Sequence, residues 1–212
     1  QHIGMEWKLV PTPRLGRIRT ASSNESESHA SSFLRSFLHL HGVNTMTQND
    51  RRKYLITELL NEQPEYADIS IPKDETEQKK LLRALFNVRM PLPIGDDFLR
   101  VQDEYLQEEI AQKGITSIDD LAPIKPDIYL WQGDITTLKC DAIVNAANSQ
   151  MLGCFCPNHV CIDNAIHTFS GVQLRLKCAE IMKNQGKDEE TGTAKITPAY
   201  NLPCKYILHT VS

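Results

Sequence analysis

Residues 141–167 read Asp-Ala-Ile-Val-Asn-Ala-Ala-Asn, then Ser-Gln-Met-Leu-Gly-Cys-Phe-Cys-Pro-Asn-His-Val-Cys, then Ile-Asp-Asn-Ala-Ile-His. The stretch opens with a short β-type apolar run at 142–144, passes through a cysteine-rich loop and continues in a helical pattern at 163–169. The same two sequence patterns recur in further segments: a helical pattern at 173–183 and β-type runs at 128–131, 194–197 and 206–211. Strands that alternate with helices in this way predict an α/β layered domain.

The chain in front of this domain is predicted to be helical over residues 46–125. Apolar residues recur there at helical spacing in three segments. Pro64 ends the first segment, Asp74 is positioned to cap the second, and Asp96 is positioned to cap the third. Gly114 follows the third segment, where a glycine commonly stops a helix. The sequence therefore predicts a small helical extension ahead of the α/β domain.

The boundaries on either side of this extension are marked by composition. Pro123 and Pro126 predict a linker or a tight junction, so that the α/β domain occupies residues 126–212. Residues 1–45 are predicted to be a disordered extension, because they lack a steady apolar period and are rich in serine at 21–32.

The composition limits the classes of function. The 212 residues carry a net charge of -4 and the pI is about 6.0. This balance argues against broad binding to nucleic-acid phosphates, which requires a basic surface. No apolar run reaches the roughly 18 residues that a transmembrane helix needs, so no membrane partner is predicted.

The cysteines are clustered. Three of the six, Cys154, Cys156 and Cys161, fall within eight residues. A disulfide scaffold would spread its cysteines over a small secreted domain, whereas a cluster beside a histidine is typical of metal or thiol chemistry in a reducing compartment. We therefore expect the protein to be cytoplasmic.

The cysteine-rich loop offers the ligands that zinc prefers. Cys154, His159 and Cys161 could converge on one Zn2+ ion, with bonds of about 2.3 Å to sulfur and 2.0–2.1 Å to nitrogen. Three protein ligands leave the fourth tetrahedral position for water or substrate, which is the pattern of a catalytic site. If Cys156 also binds, the site is closed and structural. If no metal binds, the loop carries unligated or redox-active thiols.

Three polar side chains are further candidates. Asp134 follows the first β-type run and could accept a hydrogen bond from the amino group of a base, although such a residue alone is more typical of a turn. Asn148 ends the second run, at the edge where open α/β sheets bind ligands, and could fix a sugar hydroxyl. Asp163 stands where a helix begins, two residues past Cys161, and is either an N-cap or a general base beside a metal.

Four motifs in a fixed order carry a family resemblance. They are Gly-Asp-Ile-Thr at 133–136, the asparagine-containing run at 141–148, Ile-Asp-Asn-Ala-Ile-His at 162–167 and the run from Thr-Gly-Thr-Ala to His-Thr-Val at 191–211. Each motif is weak alone, but the ordered set is highly specific. Over residues 127–211 the chain resembles a macrodomain.

The resemblance implies a three-layer α/β/α fold that binds ADP-ribose. By position, Asp134 would hold the adenine amino group and Ile135 would line that end of the pocket. Asn148 would orient the distal ribose and take part in catalysis, and Gly153 would contact the ligand. Asp163 matches the acidic residue at the helix start that is implicated in hydrolysis in this family.

Residues 153–163 are similar to the zinc-containing branch of the family, which also carries a helical extension in front. In that branch Cys154, His159 and Cys161 match the zinc ligands, and Cys156 falls at a variable position. The implied activity is zinc-dependent removal of mono-ADP-ribose from modified proteins. The branch is associated with macrodomain-linked sirtuins and lipoate-carrier proteins.

The resemblance leaves two other functions for the same pocket: ADP-ribose binding without turnover, and deacetylation of O-acetyl-ADP-ribose. In the family the chain continues beyond the position of Val211 into further strands and a second phosphate-binding loop. The sequence is therefore expected to be a macrodomain truncated at its C-terminus, and loss of stability or activity is one expectation for such a chain.

Overall fold

The computed structural model of the protein describes residues 46–211, so the extension predicted at residues 1–45 lies outside the described residues. The α-helices are α1 (Gln48–Asn61), α2 (Glu75–Val88), α3 (Asp96–Lys113), α4 (Ile162–Ser170) and α5 (Val172–Gln185). The strands are β1 (Thr116–Ser117), β2 (Pro123–Lys125), β3 (Ile128–Tyr129), β4 (Leu138–Lys139), β5 (Ala142–Ala147), β6 (Ala194–Pro198) and β7 (Tyr206–Val211). No helix among the described residues is both long enough and apolar enough to span a membrane.

The helices of the extension begin and end close to the predicted positions. Asp74 accepts a hydrogen bond from the backbone N–H of Glu77 at the start of α2, as predicted. The prediction that Asp96 caps α3 is wrong, because Gly95 has the extended backbone of an N-cap and Asp96 is already the first helical residue. A carboxylate in the first turn still interacts favourably with the positive end of the helix dipole. Gly114 ends α3 with a φ of 88°, which glycine adopts without strain.

The helices and the sheet pack around two core clusters that share elements. The first cluster joins α1, α2 and α3 through buried apolar side chains: Leu55, Ile56, Leu59, Leu81, Leu82, Leu85, Phe86, Phe98, Val101, Tyr105 and Leu106. Val172 of α5 also belongs to it. The second cluster contains Ile143 and Ile207 of the sheet, Leu174 of α5 and Ile110 of α3. Because α3 contributes to both clusters, the helical extension and the α/β part form one compact unit.

The central sheet has the strand order β5-β7-β6. β5 pairs with β7 in parallel, β6 pairs with β7 in antiparallel, and Asn145 lies opposite His209 in the register. Successive side chains of a strand point to opposite faces, so these two residues share the face on which α4 and α5 pack. The other face exposes apolar side chains of Val144, Ile196 and Tyr206. Within the described residues, helices therefore cover one face of this sheet.

The junction between the extension and the sheet contains a short hairpin. Of the two alternatives predicted at Pro123 and Pro126, a linker or a tight junction, the structure has the tight junction: β2 and β3 pair in antiparallel around Asp127, whose φ is 60°. The strand predicted at 128–131 is shorter, and it lies in this hairpin rather than in the central sheet. Proline is compatible with the first residue of a strand, since it cannot donate to the ladder but need not do so there.

The buried Leu174 allows a test of the second core cluster. Leu174→Ala truncates a side chain with 0% exposure, and the lost contacts and remaining cavity should lower the free energy of unfolding by about 2–5 kcal/mol. Leu130→Ala is the matched control, because Leu130 is 79% exposed and should change that free energy by no more than about 0.5 kcal/mol. Urea denaturation followed by circular dichroism measures both. Equal effects of the two substitutions would contradict this description of the core.

Candidate functional site

The metal-ligand loop, residues 154–161 between β5 and α4, gathers the three predicted metal ligands. The ligand atoms of Cys154, His159 and Cys161 all lie within 4.8 Å of one another, and Sγ of Cys154 is 3.6 Å from Nδ1 of His159. A tetrahedral zinc ion with ordinary bond lengths would separate a sulfur and a nitrogen ligand by about 3.6 Å. The three residues therefore fit a zinc ion. Cys156 is exposed on the same loop and is not part of this group.

Cys161, rather than Asp163, caps α4. Its backbone is extended, and its Sγ accepts a hydrogen bond from the backbone N–H of Asn164 at 3.4 Å. Asp163 lies inside the first helical turn, so its interpretation as an N-cap is wrong. The sequence does not reveal the cysteine cap, since Ser, Thr, Asp and Asn are the usual capping residues. The carboxylate of Asp163 is left available for contacts with other elements.

The Asp163 carboxylate is buried against the central sheet. The residue is 6% exposed, and its Oδ1 accepts a hydrogen bond from Nδ2 of Asn145 at 2.8 Å. The same Nδ2 is 3.1 Å from Nδ1 of His209, whose Nε2 is 2.9 Å from Oγ1 of Thr197. A neutral His209 that carries its proton on Nε2 satisfies both contacts. These four residues form one buried polar chain from α4 across the sheet to β6.

Burial controls the protonation of these groups. It raises the pKa of Asp163, and the hydrogen bond from Asn145 and the positive charge of Arg175 offset only part of this effect. Burial lowers the pKa of His209 to about 4, so this histidine is neutral at physiological pH. Burial, followed by the charges of Arg175 and His209, also lowers the pKa of His167. The contact of 3.5 Å between Nε2 of His167 and Oδ1 of Asp163 is therefore not an ion pair.

Gly153 lies directly over the ring of His167. Its φ is 80°, and a Cβ at this position would approach the imidazole to 2.7 Å. Glycine meets both requirements, because it tolerates a positive φ and occupies no side-chain volume. Nδ2 of Asn148 donates to the carbonyl oxygen of Gly153 at 3.2 Å. The structure thus brings together Asn148 and Gly153, two of the predicted site residues, and packs Gly153 against His167.

Asp134 stands at the start of the 3-10 helix Ile135–Thr137. Its Oδ1 accepts hydrogen bonds from the backbone N–H and the hydroxyl of Thr136, at 2.9 and 2.6 Å, and its Oδ2 accepts one from Nζ of Lys113 at 3.0 Å. Partial desolvation acts to raise the pKa of Asp134, but these hydrogen bonds outweigh it and lower the pKa. Oδ2 retains the capacity to accept a further hydrogen bond. Ile135 packs against the second core cluster.

The sequence reasoning did not assign roles to Asn145, His209 and Thr197. All three are buried positions of strands in which apolar residues dominate. Asn145 follows Ile143 by two positions, so the period of the strand places it on the core face. A polar residue on a core face requires a hydrogen-bond partner. This requirement is the signal by which the sequence could have indicated a role for Asn145. The ligand-binding role was assigned instead to the exposed Asn148, which follows the end of the strand.

Residues 144–212 match the family model of the Macro domain. Together with the mixed sheet and the helices packed on it, this match identifies the α/β part of the chain as having the macrodomain fold. The chain is also 63% identical over 170 residues to the Protein-ADP-ribose hydrolase of Treponema medium, covering 78% of this chain and 65% of that protein. It is 51% identical over 171 residues to the Protein-ADP-ribose hydrolase of Staphylococcus aureus strain MRSA252, covering 80% and 64%.

The chain therefore spans slightly less than two thirds of the length of these curated relatives. Among solved structures, the Trypanosoma brucei macrodomain in complex with ADP-ribose is 26% identical with a TM-score of 0.43, covering 66% of this chain and 60% of that chain. The Oceanobacillus iheyensis macrodomain with MES bound is 39% identical with a TM-score of 0.34, covering 38% and 41%.

The buried histidines predict how stability depends on pH. Unfolded histidine is protonated below its ordinary pKa of 6.5, whereas folded His209 is protonated only near pH 4. The contribution of such a histidine to the free energy of unfolding should therefore be complete above pH 6.5. The free energy of unfolding should fall as the pH decreases towards 4, by up to about 1.4 kcal/mol per pH unit for each buried histidine. Urea denaturation at several pH values, with a chelator present, measures this slope. His209→Gln should reduce it, and an unchanged slope in that variant would refute this assignment.

Proposed function

We propose that the protein removes mono-ADP-ribose from modified proteins by hydrolysis, with Asp163 as general base and a zinc ion held by Cys154, His159 and Cys161. The observation that carries the proposal is the position of the buried Asp163 carboxylate. It is oriented by Asn145 and follows the last residue of the metal-ligand group by two positions on α4. Hydrolysis uses a positioned base and an open metal site, whereas ligand binding alone requires neither, so this arrangement favours a hydrolase over a simple binding module.

The names of the curated relatives support the same activity. Both proteins quoted above are called Protein-ADP-ribose hydrolase, and the similarity includes the helical extension as well as the α/β part. Since this chain spans less than two thirds of their length, the activity is proposed for the protein as a whole.

ADP-ribose would bind along the carboxyl edge of the central sheet, where α/β folds place their ligands. Asp134 would accept a hydrogen bond from the adenine amino group through Oδ2, which Lys113 already orients. Ile135 would line this end of the ligand. Asn148 and Gly153, at the end of β5, would contact the distal ribose.

The reaction breaks the bond between the anomeric carbon of the distal ribose and the modified side chain. Its transition state has oxocarbenium character, as in glycoside hydrolysis. Asp163 takes a proton from the water whose oxygen bonds to the anomeric carbon, and the departing side chain takes up a proton. Asn145 holds the carboxylate in place. A zinc ion in the three-ligand group would supply Lewis-acid chemistry towards a ribose hydroxyl or a bound water.

The biological setting is proposed on the same resemblance. ADP-ribosylated proteins are the proposed substrates, and a macrodomain-linked sirtuin and a lipoate-carrier protein are the proposed partners. All six cysteines are unpaired by disulfides in the structure, which suits a reducing compartment and supports a cytoplasmic location. Neither a nucleic acid nor a membrane is proposed as a partner.

Asp163→Asn separates hydrolysis from binding. The amide preserves the size of the side chain and an oxygen for Asn145, but it cannot take a proton from water. The rate of ADP-ribose release from a mono-ADP-ribosylated protein should fall about 10²–10⁴-fold, while the affinity for ADP-ribose should change little. Release is measured by chromatography and affinity by calorimetry. An undiminished rate would exclude the role of Asp163, and tight binding without release by the unaltered protein would indicate an ADP-ribose-binding module.

Cys154→Ala tests the metal. The variant should lose zinc and turnover together, because it removes one of three ligands. Cys140→Ala is the matched control, since Cys140 is a half-buried cysteine outside the metal-ligand group, and it should retain both. Metal analysis and the release assay are made on the same samples. Unchanged turnover in a Cys154→Ala protein that binds no zinc would rule out the zinc-assisted reaction. Release of acetate from O-acetyl-ADP-ribose alone would favour deacetylation.

A further inference from the structure

Two side chains of α2, in the helical extension, contact the metal-ligand loop. Nη2 of Arg83 donates to the carbonyl oxygen of His159 at 3.0 Å and to Oδ1 of Asn164 at 2.9 Å. Oδ1 of Asn87 accepts a hydrogen bond from the backbone N–H of Asn158 at 2.9 Å. These contacts join residues that are 71 to 81 positions apart in the chain. The extension therefore reaches the loop that carries the metal ligands.

Asn164 transmits the contact of Arg83 to the backbone of the loop. Its side chain is completely buried. Its Nδ2 donates to the carbonyl oxygen of Cys156 at 3.1 Å and to that of Cys154 at 3.5 Å, and its backbone N–H donates to Sγ of Cys161. An amide that turned around would present its oxygen to these carbonyls and its NH2 group to the guanidinium, and the contacts of the side chain would be lost. Arg83 thus fixes the orientation of the amide that holds the loop.

Asn87 fixes the middle of the same loop. Its Nδ2 donates to Oγ1 of Thr168 at 2.9 Å, and that hydroxyl donates to the carbonyl oxygen of Asn164 at 2.7 Å. The residue that Asn87 holds, Asn158, has a φ of 55° and immediately precedes the ligand His159. Asparagine is one of the few residues that occupy this left-handed region readily. The turn that presents the imidazole is therefore stabilised from α2.

The loop has no helix or strand of its own between β5 and α4. Its backbone conformation, and with it the separation of the two sulfurs and the imidazole, depends on contacts with neighbouring elements. The described residues supply such contacts from α4, through Asn164, and from α2, through Arg83 and Asn87. Groups that orient metal ligands in this way normally strengthen metal binding, because the ligands are already arranged before the ion arrives.

We propose that Arg83 and Asn87 are positioning residues for the zinc ligands. The inference rests on the metal assignment in the proposed function. Neither residue contacts a ligand atom of the metal group; Arg83 acts through Asn164 and the carbonyl oxygen of His159, and Asn87 acts through the backbone of Asn158. The helical extension is consequently a part of the metal site.

The test is the affinity of the full chain for Zn2+, measured by competition with a fluorescent chelator. Arg83→Met keeps the aliphatic stem and removes the guanidinium contacts with His159 and Asn164, and Asn87→Ala removes the acceptor for Asn158. Each should weaken zinc binding by about 10–100-fold. Arg51→Met is the matched control, because Arg51 is also an arginine of the extension and is held by an ion pair with Glu104 at 3.0 Å. It should bind zinc as the unaltered protein does.

A purely structural role would give a different result. If Arg83 and Asn87 only join the extension to the domain, their variants lower the melting temperature of the metal-free protein but leave the zinc affinity of the folded protein unchanged, and the inference is overturned. The absorption spectrum of the Co2+-loaded protein provides an independent readout, and it should differ from that of the unaltered protein in both variants but not in the control. If the unaltered protein binds no zinc, the metal assignment in the proposed function fails. This result differs from the one that overturns the inference, in which the unaltered protein and both variants bind zinc equally well.

Discussion

The hydrogen bond from Asn145 to Asp163 is the interaction on which the arrangement of the site depends. A carboxylate that is withdrawn from water needs a donor, because an unpaired buried charge is strongly destabilising. The donor comes from the middle of β5, and its own position is set by pairing with β7 opposite His209. The register of the parallel strands therefore decides where the candidate base lies. A shift of one residue would turn Asn145 to the exposed face and leave Asp163 without its partner.

Three parts of the molecule hold this carboxylate and the loop that precedes it. The metal-ligand loop enters α4 just before Asp163, the sheet supplies Asn145, and α2 holds the loop through Arg83 and Asn87. The first two belong to the α/β part of the chain. The third comes from the extension, which the sequence presents as a separate unit in front of the domain.

The sequence predicted what is local and missed what depends on contacts between distant segments. The apolar period identified the main helices and the strands of the central sheet, and the spacing of Cys154, His159 and Cys161 identified a group that the structure brings together. The local pattern left two roles open for Asp163, an N-cap and a general base, because a hydrogen bond to a strand eighteen residues earlier leaves no trace in that pattern. The contact of Arg83 with Asn164 is equally invisible, since an exposed arginine and a bridging one look the same in a helical repeat.

The position of α3 has a consequence for the evolution of the chain. One end of this helix packs in the first core cluster through Phe98, and its other end contributes Ile110 to the second. Recombination that removed the extension would also remove Ile110 and expose apolar side chains of the second core cluster. The extension and the α/β part are therefore not expected to be exchanged between proteins as independent modules. Descent should therefore keep the extension and the domain together, and substitutions on either side of α3 should be constrained by the other side.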